Sequence, residues 1–289
     1  MRILKNFPVV WWSVIFYFLA VEFIIILKQP EMVFDFKILM NRATYGVFFL
    51  ISILLKNKLP LSLWRLVNIL LIYAGLGGLY KETAVLNQLF LPEIDSWLME
   101  LDQKIFGFQP SLEFSKYFNS LIFSEMMFFG YFSYYLMPIA ILMIIYKNNA
   151  EKMENFGFML ISSFLLYYLI FISLPAFGPQ FYFSYPENFI EAQGVFGKIV
   201  KIIQENGEDK TAAFPSSHTS LAIIMLLWLY DNAKKYVKFF VPTVVLLILA
   251  TVYIKAHYAV DVLAGIFTAP VVYYIVNQIF KRLSNVYKN

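Results

Sequence analysis

The sequence has no cysteine, only two histidines and, among 289 residues, four arginines. The first absence excludes a disulfide framework, a thiolate nucleophile and any cysteine-ligated metal. Charge is scarce too. Asp, Glu, Lys and Arg make up 15% of the chain, while residues of the AVILMFWYC set make up 60%. A soluble domain needs more polar surface than that, so the composition places the chain in a membrane. The formal net charge of +4 is spread thinly, with no basic cluster of the kind that binds nucleic acid. No small-residue cleavage site follows the first apolar run, Val9 to Leu27, which therefore reads as a span and not as a signal peptide.

About 20 apolar residues cross a bilayer. On that rule eight spans are predicted, near 9–27, 40–56, 64–80, 125–146, 156–175, 215–231, 238–254 and 258–280. They describe an all-α polytopic membrane fold, with two N-terminal helices over 1–63 and a six-span core over 64–289. Residues 81–120 differ in kind. Leu86, Leu89, Phe90, Ile94, Leu98 and Ile105 recur at near-helical spacing among Glu93, Asp95, Glu100 and Asp102. This predicts one amphipathic helix lying in the interface, broken at Gly107, Pro110 and Ser111. A second polar stretch, 175–213, reads as a long loop. With eight spans, both termini and the links 57–63, 147–155 and 232–237 share one face. That face carries 13 basic residues, Arg2, Lys5, Lys56 and Arg65 among them, against three acidic ones, Glu151, Glu154 and Asp231. Basic residues in short loops stay in the cytoplasm, so the opposite face is the non-cytoplasmic one.

Both histidines fall on that opposite face. His218 lies in Phe214-Pro215-Ser216-Ser217-His218-Thr219-Ser220, and His257 in Lys255-Ala256-His257-Tyr258-Ala259-Val260-Asp261. Imidazole suits proton and phosphoryl transfer near neutral pH. His257 and Asp261 are four residues apart and share a helical face. There the carboxylate can accept Nδ1–H and leave Nε2 free as a nucleophile. Pro215-Ser216-Ser217-His218 reads as a helix start, with proline in the first turn and serine as the cap. The free N–H groups of such a turn hold anions, and His218 is placed there to protonate a leaving oxygen. Singly, each motif also has a plain structural reading, a polar pair in a bundle or an ordinary capped helix. A metal site of two histidines and one aspartate is the other alternative. No HExxH pattern is present, and the aspartate stands where an orienter would. The expectation is no metal and no cofactor.

Pro-Ser-x-His followed about 40 residues later by His-x-x-x-Asp resembles the type-2 phosphatidic acid phosphatase superfamily. Leu174-Pro175-Ala176-Phe177-Gly178-Pro179 resembles its first motif, in the version found near inositol phosphorylceramide synthases. So does Asp102-Gln103-Lys104-Ile105-Phe106-Gly107-Phe108-Gln109-Pro110 upstream. The resemblance covers roughly residues 64 to 280. It implies that His257 forms a phosphohistidine, that Asp261 orients it and that His218 is the general acid. It also implies a lipid phosphate as substrate, within the bilayer, and no metal.

Two departures stand out. The arginine that the family pattern carries six residues before the nucleophile is Thr251, and the first motif ends Gly178-Pro179-Gln180 where Gly-Pro-Arg is common. A transferring phosphoryl group needs cationic or N–H donors. Arg2, Arg65 and Arg282 fall on the cytoplasmic face, and Arg42 lies outside the motifs. The charge is expected from Lys255, one turn from Thr251 if the helix continues that far, or from Lys210. Ser216, Ser217, Thr251 and Gln180 complete the expected phosphate site. The 31 Phe, 20 Tyr and 5 Trp, the runs Phe128–Phe132 and Tyr134-Tyr135 included, are expected as span packing and interface belt. Phe181, Tyr182 and Tyr185 are an alternative platform for a headgroup. Three functions follow: hydrolysis of a lipid phosphate, phosphotransfer to a lipid or polyol alcohol as in inositol phosphorylceramide synthases, or a non-catalytic transporter or scaffold on the same fold. The presence together of His218, His257 and Asp261 argues against the last. Nothing in the sequence encodes an oligomeric state.

Overall fold

The computed structural model describes residues 8–288, and every regular element among them is helical. In chain order the α-helices are α1 (Val10–Lys28), α2 (Phe36–Leu55), α3 (Leu61–Leu86), α4 (Asp95–Phe106), α5 (Pro110–Tyr117), α6 (Leu121–Asn148), α7 (Met153–Ser173), α8 (Pro179–Tyr182), α9 (Val195–Gly207), α10 (Ser217–Asn232), α11 (Val237–Tyr253) and α12 (Ala259–Lys288). Among the described residues seven helices, α1, α2, α3, α6, α7, α11 and α12, are long and apolar enough to cross a bilayer. The protein is an all-α integral membrane protein.

The span expected at 215–231 exists as α10, but with 16 residues it is shorter than the other seven. Its N-terminus is polar for a reason. Ser216 caps the helix, its Oγ accepting the Thr219 N–H at 3.3 Å. Pro215 stands before the cap and not in the first turn.

Two compact units make up the chain. One gathers Met1–Glu82, Ile139–Leu169 and Val272–Asn289. Its helices are apolar on most sides. Lipid is as apolar as leucine, so such helices are paired by close packing and by hydrogen bonds between them, each worth about 0.6 kcal/mol. Trp11 Nε1 donates to Asn68 Oδ1 at 2.7 Å, and the Ser13 and Ser162 hydroxyls meet at 2.7 Å. A charged clamp joins α1, α2 and α3. Arg42 forks onto Glu82 at 2.9 and 3.0 Å and gives its Nε–H to Glu22 at 2.8 Å. Asn41 adds an amide donor to Glu82 at 2.7 Å. Glu82 is fully buried, and these donors are what make a carboxylate tolerable there. Arg2 and Lys5, counted on the basic face, lie outside the described residues.

The other unit gathers Thr83–Pro138 and Ile170–Val271 and holds both histidine motifs. Residues 81–120 are not one interfacial helix. α3 runs on to Leu86, and α4 and α5 lie on either side of Gly107, which closes α4 in the left-handed region at φ 78°. The buried stripe of α4 is Asp95, Leu98 and Asp102. Both acids, expected on a solvated face, point inward, while Phe90 and Ile105, expected on the apolar face, are exposed. The stretch 175–213 contains α8 and α9. Leu98, Ala176, Ala213, Tyr258 and Val260 form a small core where α4 meets both motif-bearing segments. At Gly265 α12 comes so close to α10 that a Cβ would lie 2.7 Å from the Ser216 carbonyl oxygen.

Candidate active site

Backbone groups, tied by carboxylates, bring the motifs together. Asp95 accepts the N–H groups of Phe177 and Gly178, each at 2.7 Å, and the Tyr258 hydroxyl at 3.2 Å. Asp102, two turns along the same face of α4, accepts the N–H groups of Ala259 at 3.0 Å and Val260 at 2.9 Å. Burial pushes both carboxyls above their ordinary range, and the N–H donors pull them back. Between the segments, Ala213 N–H donates to Ala176 O at 3.1 Å, Ser216 N–H to Asp261 O at 3.0 Å and Gln180 N–H to Lys255 O at 2.9 Å. Gly178 has φ 89°, and a Cβ there would stand 2.8 Å from the Ala256 carbonyl oxygen, so only glycine fits.

These ties place the two imidazoles in contact. His218 Nδ1 lies 3.2 Å from His257 Nε2. His257 Nδ1 lies 2.8 Å from the carbonyl oxygen of Ala213. A carbonyl only accepts, so Nδ1 carries the hydrogen and Nε2 carries the lone pair. His218 Nδ1–H must then donate to that lone pair. Burial pushes the His257 imidazole down to about 4, against the opposing pull of the Ala213 carbonyl and the charge of Glu208, so the ring is neutral at neutral pH. His218 Nε2 is buried with no hydrogen-bond partner.

The expected orienter is displaced. Asp261 Oδ2 is 3.5 Å from His257 Nδ1 and accepts the Tyr258 N–H at 2.8 Å, while Oδ1 is buried without a partner. The shorter contact to His257 is the Ala213 carbonyl. Two tyrosines that the sequence placed among span packing lie on His218 instead. Tyr131 stacks at a ring distance of 4.8 Å and 29°, and Tyr134 lies at 4.3 Å. Tyr182 packs on Phe183, and Tyr185 on Phe189.

The expected phosphate ligands divide. Ser216 and Ser217 stand at the start of α10, next to His218, both buried. Gln180 donates its amide to Glu208 at 2.5 Å. Thr251 is buried with its hydroxyl donating to Ile248 O at 2.7 Å, and its carbonyl accepts the N–H groups of both Ala256 and His257 at 3.1 Å. The stripe from Thr251 to Lys255 does not form. α11 ends at Tyr253, and Lys255 sits at φ 67°. Its ammonium donates to the Glu187 carbonyl. It lines a polar cavity of about 480 Å³ with Lys116, Glu187, Glu191 and Tyr253, which neither histidine lines. Burial pushes the Lys255 amine below its ordinary value. Lys210 is exposed, and its carbonyl accepts the Asn87 amide at 2.9 Å. Of the arginines, Arg42 and Arg65 are paired with glutamates in the first unit, Arg282 belongs to that unit, and Arg2 lies outside the described residues. Among the described residues no group of three or more His, Asp or Glu could hold a metal ion.

Residues 96–275, more than half of the chain, match the family model of the PAP2 superfamily. The match takes in α4 from its second residue onward, Asp102 included, and all three motifs, while Asp95 stands one residue before it. Searches of curated proteins and of solved structures returned no match.

Proposed function

On the premise that this chain belongs to the PAP2 superfamily, we propose that its histidine pair transfers the phosphoryl group of a membrane lipid phosphate. Membership supports a phosphatase or phosphotransferase type of activity. The finer reading rests on one observation: His257 Nδ1 lies 2.8 Å from the Ala213 carbonyl oxygen while its Nε2 faces a second histidine at 3.2 Å, an arrangement that suits a lone pair on Nε2. Nε2 attacks phosphorus, and the P–O bond to the lipid alcohol breaks as the N–P bond forms. The departing oxygen takes a proton from His218, which enters the step as the imidazolium that the approaching phosphate anion stabilises and leaves it as the neutral ring. Water then attacks the phosphohistidine, gives its proton to His218 and releases phosphate, which restores both rings. In this reading His218 and the N–H groups at the start of α10 hold the phosphoryl oxygens. The proposed site faces away from the cytoplasm, within a core over 64–289 to which 1–63 add two helices.

A second acceptor is favoured by the polar cavity beside Lys255, two residues from the nucleophile. Its volume of about 480 Å³ admits a polyol or a lipid headgroup. In that reading an alcohol attacks in place of water, and a new phosphodiester appears without free phosphate.

The test is a nucleophile substitution with two readouts. His257→Ala and His257→Asn should both lose at least about 10³-fold in kcat/KM. Neutral or alkaline quenching of the wild type with labelled substrate should trap an acid-labile phosphoenzyme that both variants lack. Substantial turnover by either variant would refute the assignment.

A further inference from the structure

Beside the histidine pair sits a carboxylate that none of the motifs contains. Glu208 caps the C-terminus of α9. Its Oε1 accepts the Tyr131 hydroxyl at 2.5 Å and its Oε2 the Gln180 amide at 2.5 Å, with the Gln204 amide at 3.5 Å. Gln204 also donates to Gln180 Oε1 at 2.8 Å, which fixes the Gln180 amide toward Glu208. The ring of Tyr131 is the one stacked on His218, and the Glu208 charge is felt at His257. The start of α9 is also anchored. Glu125 accepts the N–H groups of Phe196 and Gly197, each at 2.8 Å. The three groups that hold Glu208 are neutral. The lysine whose charge it feels, Lys201, has its ammonium 6.0 Å over the Phe189 ring.

We propose that Glu208 selects the phosphoryl donor, favouring a monoanionic phosphodiester lipid whose headgroup brings N–H or O–H donors over a dianionic phosphate monoester. The proposal rests on the phosphoryl-transfer reading and narrows its substrate. A monoester carries two negative charges into a site flanked by two carboxyl groups, Asp261 at 3.5 Å from His257 Nδ1 and Glu208 behind the Tyr131 ring that stacks on His218. A diester carries one, and its headgroup donors supply the charge-assisted partner that the carboxylate lacks. Gln180 fits the same logic. An arginine at that position would neutralise Glu208, whereas glutamine only hydrogen-bonds it and leaves its charge for the ligand. In the transfer, His257 Nε2 bonds to phosphorus as the P–O bond to the lipid alcohol breaks, and that oxygen takes a proton from His218, which is imidazolium in the bound complex and neutral afterwards. The headgroup stays on phosphorus, beside Glu208, until an acceptor O–H attacks and passes its proton to His218.

The test is binding by the full chain in detergent micelles near pH 8. The probes are dihexanoyl phosphatidate, phosphatidylethanolamine and phosphatidylglycerol, with Kd measured by calorimetry. Wild type should bind both diesters at least about tenfold tighter than phosphatidate. A gain confined to the ethanolamine ester also supports the proposal, with an ammonium as the partner. Glu208→Gln should shrink the preference at least about fivefold, and Gln180→Arg, which adds the missing cation, should do the same. A wild-type preference for phosphatidate overturns the proposal, as does a ratio unchanged in both variants. His257→Ala separates the two claims, because it should keep the wild-type binding preference while losing turnover. If it turns over normally, the phosphoryl-transfer reading falls whatever the binding ratio shows.

Discussion

His218 holds two positions in the proposed cycle that exclude each other. At rest its Nδ1–H is bonded to the lone pair of His257, 3.2 Å away. For attack, phosphorus must come within about 3–3.5 Å of that same lone pair. His218 therefore has to withdraw, sliding against Tyr131 and Tyr134, and meet the leaving oxygen on the far side of phosphorus. A general acid matters most when the leaving group is poor. His218→Ala should lose about 10²-fold or more in kcat/KM on an alkyl phosphate ester and far less on an aryl ester with an acidic alcohol. Equal losses on the two esters would remove the general-acid role. At this scale the sequence was readable in part. The two short motifs name the residues that meet. The i,i+4 rule rightly puts Asp261 near His257, but a main-chain oxygen 44 residues away lies closer. The same rule fails for Lys255, because it presumes a helix that ends two residues earlier, and the left-handed φ turns the side chain off the stripe.

Among the elements, α4 does for the site what a loop cannot. It is short, and two of its twelve residues are buried aspartates that hold four backbone N–H groups of other segments. Asp102→Ala leaves the N–H groups of Ala259 and Val260 buried without acceptors, at about 1–3 kcal/mol. The variant should unfold at lower temperature in detergent. Its folded fraction should also lose kcat, since these N–H groups begin α12 two residues after His257. Asp102→Glu should restore neither fully, because one methylene misplaces both oxygens. Normal kcat in a destabilised Asp102→Ala would limit the residue to folding. The two aspartates were visible in the sequence at a spacing of seven, flanking Leu98 on one stripe. They read as solvated because acids on an amphipathic helix usually are, and only tertiary contact supplies the N–H groups that reverse that default.

Across the whole molecule charge is scarce, and buried carboxylates are held either by backbone N–H groups, as in α4, or by an ion pair, as at Glu82. The guanidinium of Arg42 satisfies Glu82 and Glu22 within apolar helices. Arg42→Met would leave Glu82 uncompensated and should destabilise the detergent-solubilised protein by about 3–5 kcal/mol. Replacing both partners, Arg42→Met with Glu82→Leu, should be more stable than the single change, since the cost lies in the orphaned charge and not in the absence of the pair. A double variant less stable than Arg42→Met, measured by thermal melting at fixed detergent, would contradict this. The helical layout was legible almost throughout, because long apolar runs have few alternatives in lipid. The short α10 was legible as well, from its apolar run near 215–231 and its serine cap, whereas α8 and α9 were read as loop because their polar residues hide the helical turns.

The oxygen that fixes the proton on His257 belongs to a peptide bond, and this changes what inheritance can alter. No codon removes it. Any residue at position 213 presents the same acceptor, so a change there reaches the nucleophile only through the packing of the small core to which Ala213 belongs. What must persist is the path of the chain through 213, which is maintained elsewhere, by the Ala176 carbonyl and the small core around Tyr258. The atom that sets the tautomer is therefore silent in the genetic record, and exchanging the 213–214 amide for an ester is the way to weaken it.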